Sequence, residues 1–210
     1  MSQGLEREDA QRLEECLADG GVAVFPTDTV YGVCCDPENE DAVQRLFKLK
    51  GRPSRRACAV MFFSLDAALG EMGELLEIER EALRALLPGP VTLLLVNRGE
   101  RFLPACRTDP ATVGLRVPSL PEQIAALRDV GRPLMQSSAN LSGGSDARTL
   151  DEVAPSLLDG ADLVIDGGTL AGAASTVIDL RDFDSERRWH VLREGPLERE
   201  AVEEKLGALG

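Results

Sequence analysis

Apolar positions with helical spacing alternate along this chain with short, continuous apolar runs. Residues 5–19 form an amphipathic pattern that Gly20 and Gly21 interrupt, which predicts a helix ending there. Asn39 can cap a second helix, whose apolar face includes Leu46 and Phe47 and which Gly51 ends. Further helices are predicted at residues 75–87, 121–129, 150–158 and 197–206.

The continuous apolar runs predict strands at VAVFP, ACAVMFF, VTLLLV, TVGLRV, PLMQSS, ADLVID, STVIDL and RWHVLR. The last of these strands follow one another without helices between them, so the order is not a regular βαβ alternation. We therefore predict an α/β (α+β) fold with a mixed sheet flanked by helices. Because no linker or repeat divides the chain, residues 1–210 are predicted to form a single domain, with no additional C-terminal domain.

Charge and hydropathy limit the classes of function. The net charge is −13, from 23 basic and 36 acidic side chains, and such a field repels nucleic acid unless a local basic patch attracts it. No apolar run is long enough to cross a membrane, and the charged N-terminal residues contain no signal-peptide core. We therefore expect a cytoplasmic protein without a membrane partner.

Cysteine and histidine usage argues against a zinc site or a histidine base. The five cysteines form no CxxC pair, so we expect reduced and mostly buried thiols. The single histidine, His190, is predicted to pack within a strand. No metal-binding residues are predicted.

Polar residues interrupt several strand ends, where α/β sheets place binding sites. In KLKGRPSRR, Lys50 and Arg52 flank a glycine at a helix end, and Pro53 stiffens the following turn. Such cations suit a polyphosphate, because Arg offers a two-pronged donor and Lys a point charge. They could equally complement the helix dipole.

A second polar stretch, SSANLSGG, follows a predicted buried strand. Its hydroxyl and amide groups and its backbone N–H groups could hold phosphate or carboxylate oxygens, or could form only a polar turn. Neither GxxxxGK[ST] nor GxGxxG occurs, so this is not a P-loop or Rossmann site.

Together these stretches resemble a known family. FPTDTVYGV, KGRP, LPGPVTLLL, VGLRVP, SSANLSGG, STVIDL and LREGP occur in the order found in the YrdC-like threonylcarbamoyl-AMP synthases. The resemblance covers about residues 20–206. It implies a twisted mixed sheet with a concave, positively charged cavity.

The resemblance also implies a reaction. Members of this family condense L-threonine, bicarbonate and ATP into threonylcarbamoyl-AMP and release pyrophosphate, and a partner transferase then modifies tRNA. ATP is thus expected as a substrate, with Mg²⁺ bound through its phosphates, and tRNA is expected to bind only indirectly or weakly. Met61 lies in a stretch where some relatives have a histidine near the substrate, so any role of that histidine does not carry over.

Residue roles follow from the resemblance position by position. The catalytic residues implied are Lys50, Arg52, Ser138 and Asn140. The ATP-binding residues implied are Arg52, Arg56, Thr112, Ser138, Asn140 and Arg193. The threonine-binding residues implied are Thr29, Arg116, Ser137 and Ser175. Asp28, next to Thr29 in PTDTVYG, is predicted to be a turn or cap residue.

Two alternatives stay open at the level of sequence. A member of the same family could form a different adenylate, such as a carbamoyl adenylate, because the K-x-R and S-x-N pairs indicate adenylate chemistry without fixing the amine. The fold could also serve as an RNA-binding module without catalysis, although the negative charge disfavours this.

Overall fold

The computed structural model describes residues 4–51, 59–106 and 109–209. The strands are β1 (Ala23–Phe25), β2 (Gly32–Cys35), β3 (Ala59–Met61), β4 (Val91–Val96), β5 (Thr112–Arg116), β6 (Leu134–Ser138), β7 (Leu163–Val164), β8 (Thr176–Asp179) and β9 (His190–Arg193). The α-helices are α1 (Arg7–Ala18), α2 (Glu40–Leu49), α3 (Leu65–Glu71), α4 (Glu77–Leu86), α5 (Leu103–Cys106), α6 (Pro155–Gly160), α7 (Phe183–Glu186) and α8 (Arg199–Gly207). Two 3₁₀ helices span Glu122–Asp129 and Leu150–Glu152.

Within the described residues, the strands form one nine-stranded sheet in the order β7-β1-β2-β6-β3-β5-β4-β8-β9. Three neighbouring pairs, β1/β7, β3/β5 and β4/β8, are parallel, and the other pairs are antiparallel. The mixed α/β sheet predicted from the sequence is therefore confirmed. Its order interleaves early and late strands, so the middle of the sheet joins residues far apart in the chain.

One face of the sheet is covered along its length by a large apolar core. Alternate strand residues such as Val33, Val60, Leu93 and Leu115 pack there with α2, α4 and α8. The residues between them point to the opposite face. On that face a smaller core, formed with α1 and the 3₁₀ helix at 122–129, covers only the part of the sheet near β1, β2 and β6. The remainder of this second face, over β5, β4 and β8, is left for polar side chains.

The helix predictions near the site are confirmed. The Asn39 side chain accepts a hydrogen bond of 3.0 Å from the Ala42 N–H at the start of α2, as expected for an N-cap. Gly51 follows the helix with a φ of 57°, a left-handed conformation that favours glycine. Helix α2 therefore ends at Lys50, whose side chain reaches the Ser138 carbonyl on the sheet.

Several elements differ from the sequence predictions. Strand β2 and helix α3 were not predicted, because polar residues or glycine lie next to their short apolar runs. His190 lies in a strand as predicted, but its side chain is exposed rather than packed. The reason is that β9 is an edge strand, in which three of the four residues are exposed.

No helix among the described residues is long and apolar enough to span a lipid bilayer. Among the described residues, Cys16, Cys34, Cys35 and Cys106 form no disulfide, and the last three are buried. Within the described ranges, no group of three or more His, Cys, Asp or Glu side chains is placed to hold a metal ion.

Candidate active site

A cavity of about 450 Å³ lies over the part of the sheet that the smaller core leaves uncovered. Its floor is made by alternate residues of the strands, and its rim by loops that follow β1, β6 and β7. It is lined by Thr29, Val30, Lys50, Ala59, Thr92, Leu94, Gly114, Arg116, Gln136, Ser137, Ser138, Asn140, Ser142, Gly143, Gly144, Asp146, Ala174, Ser175, Val177 and Arg193.

The cavity is deepest at the centre of its floor, because small residues lie on adjacent strands there. Gly114 on β5 pairs with Ala59 on β3 and with Leu94 on β4. A Cβ added to Gly114 would lie 3.3 Å from the Ala59 Cα, closer than side chains normally pack. The absence of a side chain at Gly114 therefore provides depth for a ligand and lets β3 and β5 approach.

The segment PTDTVYG forms one wall, and its threonines are fixed by short hydrogen bonds. The Thr27 hydroxyl donates to the Val30 carbonyl at 2.7 Å, so the 3.0 Å bond between the Thr27 and Thr29 hydroxyls has Thr29 as the donor. Both threonines are 1% exposed. The proton of the Thr29 hydroxyl is thus used within the protein, and towards the cavity this oxygen can only accept a hydrogen bond.

Tyr31 in the same segment anchors the loop that contains Asp166, Gly167 and Gly168. Its hydroxyl oxygen accepts a hydrogen bond of 3.0 Å from the Gly167 N–H. Its proton is shared between two acceptors, Asp166 Oδ1 at 3.0 Å and the Gly168 carbonyl at 2.9 Å. Burial is the main cause that raises the pKa of Tyr31. This loop continues to Gly172, whose N–H donates to the Thr29 carbonyl at 2.8 Å.

Asp28 forms a buried ion pair with Arg116. The Arg116 Nη2 atom donates to Asp28 Oδ1 at 2.7 Å and, more weakly, to the Thr29 hydroxyl at 3.4 Å. Both side chains of the pair are 3% exposed. Asp28 lies in a bend, in agreement with the prediction of a turn residue, but its side chain also pairs with an arginine 88 positions away, which local sequence does not reveal.

Burial is the largest influence on the ionisation of this pair. It raises the pKa of Asp28, although Arg116 and the Ser119 N–H act in the opposite direction. It lowers the pKa of Arg116, which Asp28 raises and the nearby Arg193 lowers further. Arg116 and Arg193 line the same cavity with like charges, and an anion between them would relieve their repulsion.

Lys50 is joined to the start of the SSAN segment. Its ammonium donates to the Ser138 carbonyl and to Asn140 Oδ1, the latter at 3.3 Å, and only 2% of the residue is exposed. Ser138 also donates its hydroxyl to Asn140 Oδ1 at 2.9 Å. The Asn140 amide nitrogen donates in turn to the Gly144 carbonyl and Asp146 Oδ1. This network holds the loop after β6 against the end of α2.

A third cluster lies on the opposite side of the cavity. Arg193 on β9 donates from Nε and Nη2 to the Ser175 carbonyl, at 3.0 and 2.8 Å, and from Nη2 to the Ser175 hydroxyl at 3.1 Å. The Ser175 hydroxyl is 2.9 Å from that of Thr92 on β4. These hydrogen bonds hold one edge of the exposed Arg193 guanidinium against Ser175 in the cavity wall.

Most of the residues singled out in the sequence meet in this cavity, namely Thr29, Lys50, Arg116, Ser137, Ser138, Asn140, Ser175 and Arg193. Thr112 does not line it; its hydroxyl accepts a hydrogen bond of 3.3 Å from Arg181 at the far end of β5. Arg52 and Arg56 lie outside the described residues, so their proposed contacts with ATP stay predictions.

Sequence reasoning missed Thr92, Gly114, Gln136 and Asp146, which also line the cavity. A signal for two of them was present, since Gly114 and Gln136 lie two positions before Arg116 and Ser138 and must share their face of the sheet. Asp146 and Thr92 had no such signal. Their positions depend on the course of a loop and on the pairing of β4 with β8.

Comparison with known proteins identifies the family. The family model Sua5/YciO/YrdC, described as telomere recombination, matches residues 15–195. The chain belongs to the Sua5/YciO/YrdC family. The resemblance seen in the sequence motifs is thereby confirmed.

Relatives within the Sua5/YciO/YrdC family carry a common name. A threonylcarbamoyl-AMP synthase of Bacillus subtilis (strain 168) is 31% identical over 194 residues, which cover 92% of this chain and 55% of the relative. A threonylcarbamoyl-AMP synthase of Idiomarina loihiensis is 35% identical over 158 residues, covering 74% of this chain and 83% of the relative. The chain therefore spans about half the length of the first relative and most of the second.

Two solved structures of family members are also similar. The structure of Pyrococcus abyssi Sua5 complexed with L-threonine matches with a TM-score of 0.83 and 29% identity, over 97% of this chain and 58% of that one. Escherichia coli YciO matches with a TM-score of 0.79 and 26% identity, over 94% of both chains. The sheet and its flanking helices are thus those of the Sua5/YciO/YrdC fold.

Proposed function

We propose that this protein is an L-threonylcarbamoyladenylate synthase, which condenses L-threonine, bicarbonate and ATP and releases pyrophosphate. The observation that carries the proposal is the placement of Arg116, Lys50 and Arg193 around one cavity, facing hydroxyl groups, in a chain related to proteins of that name. In this proposal residues 4–209 form one catalytic unit.

Arg116 and Thr29 suit the two ends of an amino acid. Arg116 donates hydrogen bonds and carries positive charge, which a carboxylate complements. Thr29 offers an acceptor oxygen, which complements an ammonium or hydroxyl donor such as those of threonine. Ser137 and Ser175 add hydroxyl groups on either side. A site that pairs with the substrate hydroxyl would reject valine, because its own polar groups would be left unpaired.

The cationic groups suit the transfer step. The free amine of threonine and bicarbonate condense to a carbamate with loss of water, and a carbamate oxygen then attacks the α-phosphorus of ATP while the bond to pyrophosphate breaks. Negative charge grows on the phosphoryl oxygens and the leaving group, where Lys50, Arg193 and the predicted Arg52 can stabilise it. Ser138 and Asn140 keep Lys50 in place.

Mg²⁺ fits this arrangement as an ion carried by the nucleotide. Among the described lining residues Asp146 is the carboxylate, and its Oδ1 already accepts from Asn140. Phosphate oxygens and water would therefore supply most of the ligands. The product, threonylcarbamoyl-AMP, would pass to a transferase that modifies tRNA. A cytoplasmic location of the protein is part of the same proposal.

The test is pyrophosphate release from ATP and Mg²⁺, with and without bicarbonate, for each amino acid in turn. Wild-type protein should release pyrophosphate only when threonine and bicarbonate are both present. Lys50→Met should lower the rate by about 10²–10³, because one cation at the transferring phosphoryl group is lost. Lys48→Met, on the exposed side of the same helix, is the matched control and should keep the wild-type rate.

The alternatives predict different outcomes in the same assay. Release that requires another amine would contradict the choice of threonine and favour a different adenylate-forming member of the family. No release, together with steeply salt-dependent binding of tRNA, would favour an RNA-binding module. The net charge of −13 opposes that second outcome.

A further inference from the structure

The guanidinium of Arg116 is buried and has few partners. Its Nη2 atom is held by Asp28 at 2.7 Å and lies 3.4 Å from the Thr29 hydroxyl. Nε is buried without a hydrogen-bond partner, and neither Nε nor Nη1 bonds to any described residue. Asp28 is therefore the one strong contact that fixes the direction of this side chain among the parts of the chain that the structure describes.

Asp28 is itself fixed by the backbone on both sides of the cavity wall. Its second oxygen, Oδ2, accepts from the Ser119 N–H at 3.1 Å, in the segment that follows β5. Its own main chain belongs to the turn that the Thr27 hydroxyl closes, through contacts with the Thr29 and Val30 N–H groups at 3.2 and 3.3 Å. The carboxylate thus occupies a position set by two segments rather than by a flexible side chain.

A buried arginine without such a carboxylate would have several rotamers of similar energy and an uncompensated charge. The Thr29 hydroxyl, at 3.4 Å, is too distant to hold it alone. The orientation of the Arg116 guanidinium at the cavity wall consequently depends on Asp28.

We infer that Asp28 is a positioning residue for amino-acid binding, which holds the Arg116 guanidinium in the orientation that receives the substrate carboxylate. This inference rests on the proposed function for the identity of the substrate. Asp28 does not touch the reacting atoms. It acts through Arg116, and so its loss should weaken binding of the amino acid and leave binding of the nucleotide largely unchanged.

The kinetic test compares Asp28→Asn and Asp28→Ala with the wild type in the pyrophosphate assay. Asp28→Ala should raise KM for L-threonine by about 10- to 100-fold, with KM for ATP within about twofold of wild type, since misplacement of a substrate-binding group carries costs of this size. Asp28→Asn keeps an acceptor oxygen in the same place and should give an intermediate KM. Asp66→Asn, an exposed carboxylate on α3, is the control and should change neither constant.

A purely structural role for Asp28 would give a different pattern. The melting temperature would fall while both KM values stayed at the wild-type level, and this result would overturn the inference. Equal increases in both KM values would also overturn it. If Asp28→Ala fails to fold, the intermediate KM of Asp28→Asn carries the test alone.

A crystal structure of the Asp28→Ala or Asp28→Asn variant tests the inference separately from the proposed function. The Arg116 side chain should adopt a different rotamer or several rotamers in Asp28→Ala. An unchanged guanidinium in that variant would contradict the inference whatever the substrate is. If the wild type uses another amino acid instead of threonine, the proposed function fails, and the same comparison of KM values is made with that amino acid.

Discussion

At the scale of single residues, Tyr31 shows how one side chain joins distant parts of the cavity wall. Its hydroxyl lies under the 166–168 loop, more than a hundred positions away, and that loop leads to the segment contacting Thr29. The family resemblance marked Thr29, in the same PTDTVYG segment, as a binding residue. The sequence did not indicate that the tyrosine joins this segment to the 166–168 loop, because such a pairing depends on where the parallel strands β1 and β7 meet.

Tyr31→Phe removes the hydroxyl and leaves the Gly167 N–H without its acceptor. We expect the free energy of unfolding to fall by about 1–2 kcal/mol, the usual cost of a buried donor left unpaired. Urea denaturation followed by circular dichroism measures this change. Asp166→Asn is the matched control, since its amide oxygen can still accept from Tyr31, and it should cost less. Equal stability of Tyr31→Phe and wild type would show that water replaces the lost hydroxyl.

Arg116 shows the limit of residue-level prediction in the site. The family resemblance marked it as a threonine-binding residue, and it lines the cavity. Its partner Asp28 could not be recognised, because an aspartate between two threonines is also typical of a turn. Only the pairing of distant segments separates the two interpretations.

At the scale of elements, α2 was predictable from end to end and the loops around it were not. Asn39, the apolar face of the helix and Gly51 are local signals, and each has a local physical cause. The contact that ties α2 to the sheet is not local. Arg45 on α2 bonds to both oxygens of Asp162, at 2.6 and 3.0 Å, and Asp162 also accepts from the Val22 N–H just before β1.

Asp162→Asn should destabilise the protein at neutral pH but not in acid. The Arg45 bonds, opposed by partial desolvation, lower the pKa of Asp162. A carboxylate with a lowered pKa adds stability above its unfolded pKa, near 4, and loses it as the pH falls through the lower native value. We expect a loss of about 1 kcal/mol at pH 7, because both side chains are 43% exposed and solvent screens the pair.

Urea denaturation of wild type and Asp162→Asn from pH 7 down to pH 2.5 measures this dependence. The difference between the two proteins should shrink as the pH falls. Asp159→Asn, which removes an exposed carboxylate nearby on α6, should give a small difference that does not vary in this way. A difference for Asp162→Asn that is constant with pH would assign the effect to shape rather than charge.

At the scale of the whole molecule, the half-covered second face of the sheet creates the site. Alternation along the strands could be read from the sequence, and so could the mixed character of the sheet. The strand order could not, because it depends on which distant strands pair and every short apolar run is compatible with several neighbours. For the same reason, the part of the sheet that the smaller core leaves open could not be predicted from the sequence.

The strand order has a consequence for synthesis on the ribosome. The first six strands to emerge are neighbours in the sheet, in the order β1-β2-β6-β3-β5-β4, while β7 joins one side of this block and β8 and β9 join the other. A nascent chain can therefore assemble the block before residue 163 emerges from the ribosome, with β1 and β4 as temporary open edges. The half of the pocket that holds Thr29 and Arg116 would exist before the half that holds Ser175 and Arg193.

Limited proteolysis of stalled nascent chains can detect this intermediate. Chains with residues 1–160 outside the ribosome should already resist cleavage within β2, β3, β5 and β6, whereas chains with only residues 1–110 outside should not. Equal sensitivity of both lengths would mean that the sheet assembles only after β8 and β9 have been made. In the expected case, translation itself delivers the amino-acid half of the pocket first and the cation on β9 last.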